Sequence, residues 1–580
     1  MFHVKNHKQL NIFDPWGYLG PKRRKEINAS WAGIFRHNIL PKLPVESLQK
    51  HYHAWNGRPT KELFSMIGLM ILQQMHDLTD EQAVEQFCFN IKWHYALNIT
   101  NPADAASYVS RKSLWTMREI LTTEEIYNEI FQSTLKTLAK LFQTDLSKQR
   151  MDSVHIQSNM RRLGRIGLFV KTIKKFLINL KRQHRGHFDQ LDNNLTNRYL
   201  SKSQDSLFAM VKPTDSVKTL DQLAEDTQIL TERFAASPGI SDMSSFKLLV
   251  RLFSEQCVME EPDKDSSATA RKATARPNKD VPSDSLQNPS DPDAGYSGHK
   301  GQGYQVQVVE NYSPTNSKQL SLITSVTVES ADQHDANALL PALSKLQQQG
   351  MLPEEILADS LYGSDTNCES ALQEHGVAVI SPVMPGNQKK MHLSDFVLDN
   401  QGDIILCPQG AAPERIKKNS EGLSAAFPVT CHACPNFELC PVGEGKKSCY
   451  YRYTEKDVRI ARRRQQENTD AFKEKYRFRA GVEATMSEID RRTGIKHLRV
   501  RGMKAVSFAA VMKAIGLNIL RASRRQKPEK GQPGSLPGLF WPILALCTFV
   551  KDLFQAKSAR FAMMPIVFRL SWLCRLKVAF

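Results

Sequence analysis

Between residues 303 and 380 the chain changes its hydrophobic period repeatedly, and this alternation restricts the fold more than any other feature. Tyr304, Val306 and Val308 alternate with Gln305 and Gln307, the period of a strand with two unlike faces. Residues 322–328 read Leu-Ile-Thr-Ser-Val-Thr-Val, rich in the β-branched side chains that suit a pleated surface. Residues 337–349 then take a helical period, 355–359 form a short apolar run ending in Asp359, 369–374 are helical, and 377–380 are again strand-like. Two strands followed by strand–helix–strand units predict an α/β core on a mixed sheet with flanking helices.

A chain of 580 residues is too long for one core of ordinary size. The text divides accordingly. Residues 1–145 read as a helical region for DNA binding or oligomerisation, with apolar residues on more than one side of 60–75 and a capping box opening at Thr79. Residues 146–258 combine a first core strand, carrying Met151-Asp152-Ser153-Val154-His155-Ile156, with a basic helical insertion. Residues 259–293, poor in large apolar side chains, read as a disordered linker. The α/β core spans 294–395, a cysteine-rich insertion 396–455, a run of basic helices 456–525, and an apolar, proline-containing tail 526–580.

The net charge of +18 is concentrated in three runs, around 161–185, 459–479 and 491–525. Clustered cations point to a polyanion, and nucleic acid is the commonest one. No charged n-region precedes an apolar stretch at the N-terminus, and the most apolar run near the C-terminus is broken by Pro537 and Pro542. The reading is therefore a cytoplasmic, nucleoid-associated protein with no membrane partner.

Three acids stand at structural transitions. Asp152 lies in the first core strand, Asp359 ends a later strand before Ser-Leu-Tyr-Gly-Ser, and Glu483 lies in the proline-free helical stretch 455–526. At 100° per residue, Tyr476, Arg479, Glu483 and Ser487 share one narrow wedge of a helix. A carboxylate flanked by a phenol and a guanidinium on a basic helix suits metal-dependent phosphate chemistry. Three carboxylates suffice for two Mg²⁺ (or Mn²⁺) ions that activate an attacking hydroxyl and stabilise the leaving oxygen. His155 is a candidate proton shuttle or a strand histidine held by hydrogen bonds.

These motifs, in this order, resemble those of bacterial insertion-sequence transposases with a DDE, RNase H-like catalytic domain. Met-Asp-Ser-Val-His-Ile resembles the first-acid strand, Asp291-Pro292-Asp293-Ala294 the entry to the next, Ala358-Asp359-Ser360-Leu361-Tyr362-Gly363 the second-acid motif, and Tyr476-x2-Arg479-x3-Glu483 the third. The segment 502–521 resembles the closing helix, and Arg58-Pro59-Thr60 the region preceding the core. The resemblance implies cleavage at transposon ends and strand transfer into target DNA. It gives Asp152, Asp359 and Glu483 as the metal-binding catalytic acids and Tyr476 and Arg479 as DNA contacts. It also implies double-stranded DNA, both terminal inverted repeats and target, as partner, and a homodimer to pair two ends. Seven residues after the glutamate, where the family often has a basic residue, this chain has Asp490, with Arg491 and Arg492 next. Rival readings are an inactive DNA-binding derivative and an RNase H-like nuclease.

Cys431-x2-Cys434-x5-Cys440 has the makings of a zinc knuckle, with Cys449 or Cys407 as a fourth thiolate for a structural Zn²⁺. Such a knuckle would staple a β-poor insertion with little core of its own.

Overall fold

The computed structural model describes residues 2–9, 14–53, 56–57, 59–201, 211–260, 272–385, 390–420 and 422–526. Arg58, residues 261–271 of the expected linker and all of the tail beyond Gln526 lie outside the described residues.

The strands of the central sheet, numbered along the chain, are β1 (Lys148–Gln157), β2 (Gly295–Ser297), β3 (Gly301–Asn311), β4 (Ile323–Ser330), β5 (Glu355–Leu357) and β6 (Ala378–Ile380). β3 pairs antiparallel with β2, β4 and β1, while β1, β5 and β6 are parallel. The parallel strands are joined through helices Leu339–Gln348 and Asp365–His375, as a parallel pairing requires. The expected α/β core with a mixed sheet is thus present.

The N-terminal helices and this sheet share a single hydrophobic core. Helix Met503–Arg525 joins them. Its Gly516 lies against Met75, where an added Cβ would stand 2.6 Å from the Met75 Cβ. Asn518 donates to the Ile323 carbonyl at 2.9 Å and accepts from the Ile323 N–H at 2.8 Å, tying the helix to an edge strand. This helix is long and apolar enough to cross a membrane, but its most apolar stretch is 72% buried in the core, which accounts for its composition. The capping box at Thr79 forms as expected, with the Gln82 side chain returning to the Thr79 N–H.

Three expectations need correction. The 259–293 segment is not a disordered linker in its described part. Cys257–Glu260 pairs with Lys272–Ala275, and Asp291 is buried, accepting from Ser158 Oγ at 2.5 Å, from the Gly502 N–H at 3.0 Å and from the Tyr304 hydroxyl. Polar bonds here replace the apolar contacts that the composition lacks. The cysteine-rich insertion is not β-poor. Arg415–Asn419, Gly422–Phe427 and Cys449–Tyr453 form an antiparallel sheet, and Phe396, Phe427 and Tyr453 belong to a separate small core. Finally, Tyr476, Arg479, Glu483 and Ser487 do not lie on one continuous helix. Thr469 caps a new helix by accepting from the Phe472 N–H, a 3-10 turn occupies Arg477–Arg479, and Gly494, at φ 61°, ends Ala480–Thr493.

Candidate active site

The register of the parallel strands brings two of the acids together. Arg150 is the last β1 residue paired with β5, opposite Leu357. Two residues further along each strand stand Asp152 and Asp359, so both carboxylates leave adjoining strands just past the carboxyl end of the parallel pair. Neighbouring strands lie about 4.8 Å apart. Each acid is oriented locally: Asp152 accepts from the Ser153 N–H and Asp359 from the Leu361 N–H, both at 2.8 Å.

Glu483 comes from helix Ala480–Thr493, which packs on β1. Gly481 makes that approach possible, since a Cβ there would stand 2.0 Å from Arg150 Nη1. The Arg150 guanidinium in turn donates to the Phe478 carbonyl at 2.6 Å, holding the turn that carries Arg479.

All three acids meet one guanidinium. Arg479 Nη2 is 3.0 Å from Asp152 Oδ2 and 3.9 Å from Asp359 Oδ2, while Nη1 is 2.8 Å from Glu483 Oε1. The Asp152 side chain is 15% exposed, Asp359 27% and Glu483 63%, so the cluster opens on the Glu483 side. Burial raises the Asp152 carboxyl above its ordinary range, and Asp359 and Asp335 add to this against the Ser153 N–H and Arg479. Burial would lower Arg479, but Asp152, Tyr476, Asp359 and Glu483 together hold it above its ordinary value. Tyr476 stacks on Phe472 at 5.4 Å, and burial raises its phenol, with Arg479 opposing.

Asp335 was not legible as part of this site. It follows β4 in a 3-10 turn and accepts from the Gln307 amide at 3.0 Å, the Tyr362 hydroxyl at 3.3 Å and the Gln305 amide. Its only signal in the sequence was Gln305 and Gln307 placed two apart in an otherwise apolar strand.

Beside the acids runs a groove of about 460 Å³ lined by Asp152, Glu483, His155, Lys300, Lys496 and His497 among others. Neither ring nitrogen of His155 has a hydrogen-bond partner among the described residues, so it is not a strand histidine held by hydrogen bonds. Asp490 takes no part in the cluster and accepts instead from the Lys496 N–H at 3.1 Å.

Many cations of the basic runs are engaged internally. Arg459 pairs with Asp365, Arg463 with the Gly363 carbonyl and Ser381, Lys475 with Glu355, Arg499 with Asp77, and Arg521 with Glu310 and Glu488. Much of the clustered charge is therefore structural, and the nucleic-acid footprint is smaller than the runs suggest.

Cys407, Cys431, Cys434 and Cys440 line one small cavity, whereas Cys449 is fully buried, its Sγ 3.6 Å from His432 Nε2. Among the described residues, no group of three or more histidine, cysteine or carboxylate side chains is drawn to the spacing of metal ligands.

A family model described as a transposase DDE domain matches residues 406–522, and one described as a transposase domain matches 36–119. Among curated proteins and solved structures, none matches the chain. With the α/β core and its acidic cluster, the two matches define a DNA transposase, an enzyme of DNA cleavage and strand transfer. The chain is, in particular, an insertion-sequence transposase with a DDE domain. The first match contains Tyr476, Arg479, Glu483 and the five clustered cysteines, and Asp152 and Asp359 lie outside it. DDE domains generally use divalent metals. The donor set here fits them: three carboxylates face a single guanidinium, and hard oxygen donors in anionic excess suit a hard cation.

Proposed function

We propose that Asp152, Asp359 and Glu483 are the catalytic acids of an RNase H-like DDE centre that cuts transposon ends and joins them to target DNA. The observation that carries this reading is the convergence on Arg479 of three carboxylates, two from adjoining parallel strands and one from a helix. Asp152 and Asp359 would hold two Mg²⁺ or Mn²⁺ ions, with Glu483 closing the site from the helix. When bound, such ions lower the pKa of an attacking hydroxyl and stabilise the leaving oxygen.

The protein's own groups do the rest. Cations at the acids would take over the neutralisation that Arg479 supplies, leaving its planar fork for a phosphate near the reacting bond. The Tyr476 phenol lies beside it to orient the same phosphate. Lys300, Lys496 and His497 border the groove that leads from Asp152 and Glu483, and the DNA backbone would lie along it. The substrates are the terminal inverted repeats and target DNA, and pairing two ends calls for a homodimer.

The test is an assay with purified protein, Mg²⁺ or Mn²⁺, and DNA bearing the inverted repeats that flank the gene. Strand transfer that is lost on chelation and in Asp359→Ala is the expected result. Activity unchanged in Asp359→Ala sinks the assignment of the acids, and cleavage without joining favours a nuclease.

A further inference from the structure

The strand-transfer reading leaves the cysteines of the insertion unused. Three of them open a Cys-Pro pair: Cys407-Pro408, Cys434-Pro435 and Cys440-Pro441. Each lies in a tight turn. Gly410, at φ 81°, donates its N–H to the Cys407 carbonyl at 2.8 Å, and the Ala411 N–H donates to Cys407 Sγ at 3.3 Å. The Cys434 N–H donates to the Cys431 carbonyl and the Phe437 N–H to the Cys434 carbonyl, both at 3.0 Å. The Cys440 N–H donates to the Phe437 carbonyl at 3.1 Å.

Cysteines from turns in two separate segments thus line one small, partly open cavity of about 30 Å³, otherwise lined largely by apolar groups such as Phe427, Phe437 and Val442. The volume is on the scale of a single small occupant. Cys449 differs in placement. It lies on the inner strand face opposite Phe427, is fully buried and already contacts His432.

We infer that Cys407, Cys431, Cys434 and Cys440 form a structural four-thiolate zinc site, with Cys407, not Cys449, as the fourth ligand. Neutral thiols have no attraction that would draw them to ligand spacing. A zinc ion supplies it, displacing the thiol protons to solvent and holding sulfur at about 2.3 Å. The ion would fasten the turn at 407–411 to the turns at 429–440, which flank the small sheet. Val458 and Ala461 of helix Glu455–Glu467 belong to the same small core, so this clamp also supports the helix leading toward Arg479.

The test is metal analysis of the full-length protein purified without chelator, by inductively coupled plasma mass spectrometry. One zinc per chain is expected in the wild type and in Cys449→Ser, and a several-fold lower content in Cys407→Ser. Wild type without stoichiometric zinc, or zinc kept in Cys407→Ser and lost in Cys449→Ser, overturns the proposal. Should Cys407→Ser fail to fold, the cobalt-substituted protein decides. The wild type should give the visible spectrum of a four-sulfur site, Cys407→His that of a site with three sulfurs and one nitrogen, and Cys449→Ser the wild-type spectrum. A nitrogen ligand in the wild type, or a four-sulfur spectrum kept in Cys407→His, defeats the assignment. None of these readouts depends on DNA chemistry, so the proposal stands or falls apart from the transposition reading.

Discussion

Two clusters of acid and arginine lie two residues apart along β1, and they are built on opposite charge balances. In the first, Glu310 is fully buried and takes bonds from Arg150 at 2.7 Å, Arg521 at 2.9 Å and the Thr485 hydroxyl at 2.7 Å. Arg521 also reaches Glu488. Cations match anions, every Glu310 oxygen is satisfied, and the result braces β3, helix Ala480–Thr493 and helix Met503–Arg525 against one another. In the second, Asp152, Asp359 and Glu483 share one guanidinium, with Asp335 close enough to raise Asp152 further. That cluster is short of positive charge and opens on a groove. A balanced buried cluster is structural, whereas an anionic surplus at strand ends is a place for cations.

Exchanging roles between the clusters is the strongest way to break this contrast. Glu483→Ala should lower strand transfer by at least about a thousandfold, or ~4 kcal/mol of barrier. Its melting temperature should stay near that of wild type, because the side chain is 63% exposed. Retained activity, or loss of activity only together with unfolding, would erase the distinction. Glu310→Ala should do the reverse in kind. Removing one partner of a buried charge network costs about 3–5 kcal/mol, seen as a lower denaturant midpoint. Residual activity per folded molecule should persist at permissive temperature. A Glu310→Ala protein as stable as wild type would show that the balanced cluster braces nothing.

This contrast also marks how far the sequence could be read. Asp152 and Asp359 stood out because an acid inside or at the end of an apolar strand is conspicuous. Their adjacency was not, since it depends on Arg150 meeting Leu357 across the sheet, and register is a property of two strands at once. The helix face expected for Tyr476, Arg479 and Glu483 anticipated the meeting of Arg479 with Glu483, but through a wrong local picture. The 3-10 turn at Arg477–Arg479 breaks the helix, and Arg479 and Glu483 still meet because they remain one turn apart. Charge runs misled where tertiary partners were remote: Arg459, Arg463 and Arg521 find their acids and carbonyls far away in sequence. Asp335 was hidden because its partners Gln305, Gln307 and Tyr362 come from other segments.

Gly481→Ala probes how the two clusters are coupled. The new methyl group would meet the Arg150 guanidinium, which serves Glu310 on one side and the Phe478 carbonyl on the other. Overpacking of this kind costs about 1–3 kcal/mol. Both readouts should therefore fall together, a lower melting temperature and weaker strand transfer, as the helix carrying Glu483 moves off β1. A fall in only one readout would show that the clusters are independent despite the shared Arg150.

The smallest effect is expected from Asp152→Asn in metal-free protein, followed by thermal melting in chelator across the acidic range. The folded Asp152 carboxyl lies above its ordinary value, chiefly through burial and then through Asp359 and Asp335. At neutral pH the group is ionised in both the folded and the unfolded chain, and its folded form bears the unfavourable charge. As pH falls through the raised folded value, the folded state takes up its proton first, and the wild type recovers stability. Asparagine carries no charge, and its single oxygen keeps the bond from the Ser153 N–H while the bond that Arg479 makes to the second carboxylate oxygen is given up. The variant should melt higher than wild type at neutral pH, and the gap should close as the pH is lowered. Saturating Mg²⁺ should close it from the other direction, by stabilising only the wild type. A variant that melts lower than wild type at neutral pH without metal would mean that the Arg479 pairing outweighs the carboxylate surplus, which would place this cluster in the same class as the one around Glu310.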